Sequence, residues 1–142
     1  MHLTGHSLKD NRTYILFIKN DRPLSLKVGR GLFCIFPQGE YIYIGSAKKN
    51  LNKRILRHFS KDKKFHWHID YLLAHTNIES VYVGPMEELK VVKIILDKIK
   101  PQIPCSGFGA SDSPYPSHLF LVEDKNLIVT LLCELKFKLF NP

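Results

Sequence analysis

The sequence predicts an α+β domain, a small antiparallel β-sheet flanked by helices. Two patterns predict it: the first third of the chain is a run of short apolar or alternating segments separated by Gly and Pro, and the remainder is dominated by segments with helical spacing. The 142 residues, 44% hydrophobic and 24% charged, suit one folded domain over 1–142 rather than a disordered chain.

Tyr14 to Ile18 is aromatic and aliphatic and reads as a strand. Leu24, Leu26 and Val28 alternate with Ser25 and Lys27, the period of a half-buried strand. Gly29-Arg30-Gly31 turns the chain into Leu32 to Phe36, and Pro37-Gln38-Gly39 breaks it before a strand over Tyr41 to Ile44. Asn50 is expected to cap a helix whose Leu51, Ile55 and Phe59 form one apolar stripe. His66 to Ala74 is the next helix, with Ile69, Leu72 and Leu73 at helical spacing. Val81-Tyr82-Val83 is a short strand, and Met86 to Ile99 a third helix closed by Pro101. Residues 101–117, rich in Pro, Gly and Ser, form a long loop. His118 to Val122 is a strand, and Leu127 to Phe137 a terminal helix capped by Asn126.

Several classes are set aside. No apolar stretch approaches the roughly 20 residues that cross a bilayer. Residues 1–12 lack the apolar run of a secretory leader, so a cytoplasmic protein is expected. Cys34, Cys105 and Cys133 are few, odd in number and widely spaced. They are expected to be reduced small hydrophobes rather than a disulfide framework or zinc cluster.

Charge is more informative. The net charge is +8, and residues 48–64 alone carry +7: Lys48, Lys49, Lys53, Arg54, Arg57, Lys61, Lys63 and Lys64 against Asp62. A positive excess so concentrated attracts polyanions, and these cations are the candidate nucleic-acid-binding residues. A solvated helix face is the plain alternative.

Tyr43-Ile44-Gly45 ends a strand and leads into this basic helix, with Gly45 giving close approach or a positive φ where the strand stops. Arg54 and His58, four apart, share the face bordering the apolar stripe, where a guanidinium can grip a phosphate with two parallel hydrogen bonds. Glu88 begins a helical stripe continued by Val92, Ile95 and Ile99. It is a candidate oxygen ligand for Mg²⁺ or Mn²⁺, with Glu87 as competitor. His66, His68, Asp70, Asp112 and His118 are further cleft candidates. His66 and Asp70 are placed to pair, and His66 or Trp67 to stack on a base.

These residues resemble the GIY-YIG nucleases. Tyr14 in Arg12-Thr13-Tyr14 stands at the family's first Tyr, Tyr43-Ile44-Gly45 matches the second motif, and Arg54, His58 and Glu88 follow at the expected places. The chain is most similar to a small Uri-type subfamily, also found attached to endonuclease III. The features that match are Phe36-Pro37 with Gly39, His66-Trp67-His68-Ile69-Asp70-Tyr71-Leu72, Gly107-Phe108-Gly109-Ala110-Ser111-Asp112 and Ser117-His118-Leu119-Phe120.

The resemblance implies a GIY-YIG-like sheet with an extra N-terminal hairpin, and a metal-dependent endonuclease that hydrolyses DNA phosphodiesters, with a role in repair and association with a repair enzyme as further expectations. One divalent ion, Mg²⁺ or Mn²⁺, would sit on Glu88. Arg54 would neutralise phosphoryl charge, and Tyr14, Tyr43 or His58 would take the proton of the attacking water. RNA is a second polyanion to test. Arg12 stands where the family has Gly, and a bulky cation there is expected to obstruct the close packing of the strand. Ser113 and Tyr115 stand where relatives are expected to have Cys, and no late Asn of the family pattern is identified. Two rival functions follow: a catalytically degenerate nucleic-acid-binding module, and a protein-interaction domain whose basic face serves solubility.

Overall fold

The computed structural model describes residues 11–141, so most of the leader-free segment expected over residues 1–12 lies outside the described residues. The strands are β1 (Thr13–Asn20), β2 (Leu24–Val28), β3 (Leu32–Phe36), β4 (Gly39–Ser46), β5 (Asn77–Gly84), β6 (Leu119–Val122) and β7 (Lys138–Leu139). The helices are α1 (Leu51–Phe59), α2 (His68–Leu73), α3 (Glu88–Lys98) and α4 (Lys125–Glu134). Strands β6-β4-β1-β5-β7 form one antiparallel sheet, and β2 and β3 pair only with each other. The expected α+β architecture with its extra hairpin is therefore present.

β1 takes the centre because its apolar run can be buried on both faces. Alternation then sorts the core into two layers. On one face Tyr14, Leu16, Ile18, Tyr41 and Tyr43 pack with Ile55 of α1, with Ile69, Leu72 and Leu73 of α2, and with the hairpin. On the other, Ile15, Phe17, Ile42 and Ile44 pack with Val91, Val92 and Ile95 of α3 and with Ile128 and Leu132 of α4. The cleft described below opens at the end of the sheet where Thr13 faces Ser46, and both layers contribute to it.

Several expectations are corrected. Asn50 adopts φ 57° and makes no side-chain cap, so α1 starts without one. Phe59 is exposed and His58 takes the buried position, because the imidazole is drawn inward by a partner on β1. α2 begins at His68 rather than His66, and α3 at Glu88 rather than Met86, because Trp67 and Glu87 are extended. α4 is capped by Asp124, whose carboxylate accepts the Leu127 N–H at 3.2 Å; Asn126 lies inside the helix. It ends at Glu134, and after Lys136 (φ 69°) the chain forms β7, which sequence patterning missed.

Cys34 and Cys105 are joined in a disulfide across 71 residues, correcting the expectation that all the cysteines are reduced. Their wide spacing concealed a fold that brings β3 to within 5.4 Å, Cα to Cα, of the long loop. Cys133 is free and exposed. The loop over residues 101–117 is ordered: the Gly107 N–H donates to Pro116 O, the His118 N–H donates to Phe108 O, and Phe108 is fully buried. No helix among the described residues is long and apolar enough to cross a membrane.

Candidate active site

Tyr14 and Gly45 face each other across β1 and β4. A Cβ on Gly45 would lie 2.5 Å from the Tyr14 phenol oxygen and Cζ, and Gly45 is not in a positive-φ conformation. Of the two reasons for a glycine here, close approach is the one that operates. The phenol lying over Gly45 is held at its tip by His58, with Tyr14 Oη 2.7 Å from Nε2. Tyr43, two residues before Gly45 on the same face, packs edge-on to His58 with ring centroids 6.5 Å apart.

Burial sets the protonation of this group. It raises Tyr14 well above the ordinary tyrosine value, with Tyr43 adding to the rise and Arg54 opposing it. Burial also raises Tyr43, with the Glu88 charge next in effect. His58 is lowered to about 4, by burial first and then by Lys63. Near neutral pH all three are uncharged. The other ring nitrogen of His58, Nδ1, is buried without a partner among the described residues.

Arg54 donates from one guanidinium nitrogen to Ser46 O at 2.8 Å, and its Cζ lies 4.7 Å from the Trp67 ring centroid. Arg57, on the next turn, lies 4.6 Å from the same centroid but has another task. It grips Asp70 through two nitrogens, at 3.0 and 3.2 Å. Asp70 is fully buried and also accepts the backbone N–H groups of His66 (2.7 Å) and Trp67 (3.0 Å), ordering the start of α2. Burial alone would raise Asp70, but the Arg57 bond and these two backbone bonds outweigh it and hold the carboxyl below its usual range. The expected His66–Asp70 pairing is therefore made by the His66 backbone, and its ring instead meets Trp67 edge-on at 4.8 Å.

Glu88 stands at the first position of α3, 24% exposed at its side chain. Ser46, the last residue of β4, donates its hydroxyl to Oε1, and His118 Nδ1 lies 2.6 Å from Oε2. The far nitrogen of His118 lies 2.8 Å from the Ser113 hydroxyl, so the long loop braces the imidazole. The same loop is tied to α2, where the Gly109 N–H donates to His68 Nδ1 at 2.9 Å. That bond requires a neutral His68, and burial lowers its pKa in the same sense.

A cavity of about 400 Å³ joins these groups. Tyr14, Tyr43, Gly45, Arg54, His58 and Glu88 line it, as do His66, His68, Asp112 and His118. Asp70, buried on α2, does not line it, and Glu87, the competitor of Glu88, is exposed outside it. Arg12 does not obstruct β1: it is exposed just ahead of the strand, and its backbone bonds to Gly84 O and to the Ala47 N–H.

The basic segment divides. Lys61 donates to Leu73 O and Thr76 O, Lys63 donates to Arg57 O and His58 O, and Arg57 is spent on Asp70, so these three cations brace the fold. Lys48, Lys49, Lys53 and Lys64 are exposed. Ser46 and Ser113 are the residues that sequence reading missed. The signal for Ser46 was its position directly after Gly45 at a strand end. Ser113 was noted only as a departure from the family pattern, and its link to His118 is set by the course of the loop.

Among the described residues no three His, Cys, Asp or Glu side chains gather as a metal cluster. One partly exposed carboxylate at a cleft still suits Mg²⁺ or Mn²⁺, which take few protein ligands and complete their shell with water and phosphate oxygens. A family model described as "Domain of unknown function DUF123" matches residues 13–139, from the first residue of β1 to the last of β7. No curated protein and no solved structure matches the chain.

Proposed function

We propose that the chain, which belongs to the DUF123 family, is a metal-dependent endonuclease of GIY-YIG type that hydrolyses phosphodiester bonds in DNA. The observation that carries this reading is the convergence of Tyr14, Tyr43, Arg54, His58 and Glu88, from two strands and two helices, on one cavity. A divalent ion held by Glu88 would polarise the phosphate and stabilise the leaving oxygen. Arg54, anchored through one nitrogen on Ser46 O, has donors left to bind the phosphoryl oxygens. Tyr14 and His58 form the proton path. The buried phenol does not ionise by itself, but it can take a proton from water while passing its own to the neutral His58 Nε2, 2.7 Å away. Tyr43 walls the cleft beside them.

One observation favours a second reading, a binding module without catalysis: both oxygens of Glu88 are already hydrogen-bonded within the protein, to Ser46 and His118. A single assay separates the two. Single-stranded, duplex and branched DNA, and RNA, are incubated with Mg²⁺ or Mn²⁺ and the wild-type protein, Glu88→Ala or Arg54→Ala. The nuclease reading expects metal-dependent cutting, abolished in Glu88→Ala and reduced about 10²–10³-fold in Arg54→Ala. Cutting that survives in Glu88→Ala overturns the metal-ligand assignment. Binding without cutting on every substrate leaves the binding module.

A further inference from the structure

The cleft is not a dead end. Its Ser46–Glu88 wall is shared with a second hollow of about 580 Å³ that also contains Arg12, Lys48 and Glu87. Lys48 and Ala47 are in turn shared with a third hollow of about 750 Å³, which adds Lys53 and Lys138. Four exposed cations from three distant parts of the chain thus follow one another away from Glu88. Arg12 precedes β1, Lys48 and Lys53 flank the start of α1, and Lys138 lies on β7. Backbone pairing fixes their spacing. Arg12 bonds to Gly84 O while Lys138 faces Val83, so the two flank the same end of β5, two strand spacings or about 10 Å apart. Among the described residues none of the four makes an ion pair, in contrast to Arg57 and Lys63, which are committed to Asp70.

We propose that this line of hollows is the path of a nucleic-acid strand leaving the cleft, with Arg12, Lys48, Lys53 and Lys138 contacting its phosphates on one side of the bond at Glu88. The inference rests on the phosphodiester reading of the cleft. It assigns a use to Arg12, the residue that departs from the family pattern, and to Lys138, on the strand sequence patterning did not find. It also moves the binding face away from Lys61 and Lys63. The strand's contacts are to the backbone rather than to bases, so they carry little sequence preference. Arg12, Lys48, Lys53 and Lys138 gather along one wall, while Arg57, Lys61 and Lys63 are consumed by the fold.

The test is salt-dependent binding of a fluorescent single-stranded oligonucleotide in EDTA, where no cutting interferes. The variant Arg12→Ala/Lys48→Ala/Lys53→Ala/Lys138→Ala is compared with Arg22→Ala/Lys27→Ala/Arg30→Ala/Lys98→Ala, which removes the same charge from exposed positions elsewhere. Four lost phosphate contacts on a single strand reduce the salt slope by about 2.8. Between 50 and 200 mM salt the wild-type affinity then falls about 50-fold further than that of the first variant, while the second behaves as wild type. Equal weakening in both variants, or in neither, overturns the path, with thermal melts checking that both are folded. Wild-type cutting combined with equal weakening refutes the path and leaves the nuclease standing. Selective loss in the first variant without cutting on any substrate does the reverse.

Discussion

Gly45→Ala is the most informative single substitution in this protein. Gly45 sits in ordinary strand conformation, where alanine is otherwise tolerated and even favoured over glycine by as much as ~1 kcal/mol. The whole penalty must therefore come from what the new methyl meets. It meets the Tyr14 ring, at 2.5 Å from Cζ and Oη and 2.9 Å from Cε2. Tyr14 is 3% exposed and its hydroxyl is tied to His58, so the phenol cannot swing away without breaking a buried hydrogen bond. Overpacking costs about 1–3 kcal/mol and the lost bond roughly 1 kcal/mol, giving about 2–4 kcal/mol in all. Urea denaturation measures this, and a double-mutant cycle isolates its cause. In a Tyr14→Ala background the methyl enters vacated space, so Gly45→Ala should cost nothing or stabilise slightly. A cost below about 0.5 kcal/mol in the wild-type background would refute the close-approach argument, as would an equal cost in both backgrounds.

Asp70→Asn should cost about 3 kcal/mol or more in urea denaturation, because it leaves the Arg57 and Lys63 charges without their buried partner. His58 is lowered from 6.5 to about 4, so the unfolded chain binds its proton first as pH falls; stability is full above pH 6.5 and is lost on descending towards pH 4. The loss amounts to about 3 kcal/mol, and the wild type should show a pH slope up to about 1.4 kcal/mol per unit steeper than His58→Asn in that window; equal slopes would contradict the buried neutral imidazole. Asp70, also lowered, adds to the loss at more acidic pH. Reducing the Cys34–Cys105 bridge frees a long loop and should destabilise the protein by roughly 4 kcal/mol. Thiol titration should find one reactive cysteine before reduction and three after reduction and denaturation; three at the outset would disprove the bridge.

Periodicity located every strand except β7, and every helix to within a few residues, because the apolar spacing that sequence exposes is the same spacing that burial uses. It misjudged the roll of α1. Counting only apolar residues placed Phe59 inward, yet a histidine with a buried phenol to bond displaces a phenylalanine from the core. Caps went wrong for a related reason: Asn50 and Asn126 are the right residue type, but the backbone conformation, or an Asp two residues earlier, decides which side chain serves. The residues lining the cleft were legible where each lies on a regular element at a fixed distance from Tyr43. The partner Ser113 and the disulfide depend on how a long irregular loop returns to the sheet, and neither period nor propensity encodes that. The basic segment was legible as charge but not as function, since only the fold shows which cations it has already used.

The long loop has a consequence for synthesis. Strands β1, β4 and β5, which form the middle of the sheet, and the exposed lysines around α1 are all complete by residue 84. Glu88 follows at once, but the imidazole that orients it is residue 118, and the hydroxyl bracing that imidazole is residue 113. A ribosome working from the N-terminus therefore releases a cationic surface about thirty residues before it releases the wall that holds the carboxylate. During that interval the nascent chain displays these lysines while its Glu88 is not yet fixed in place.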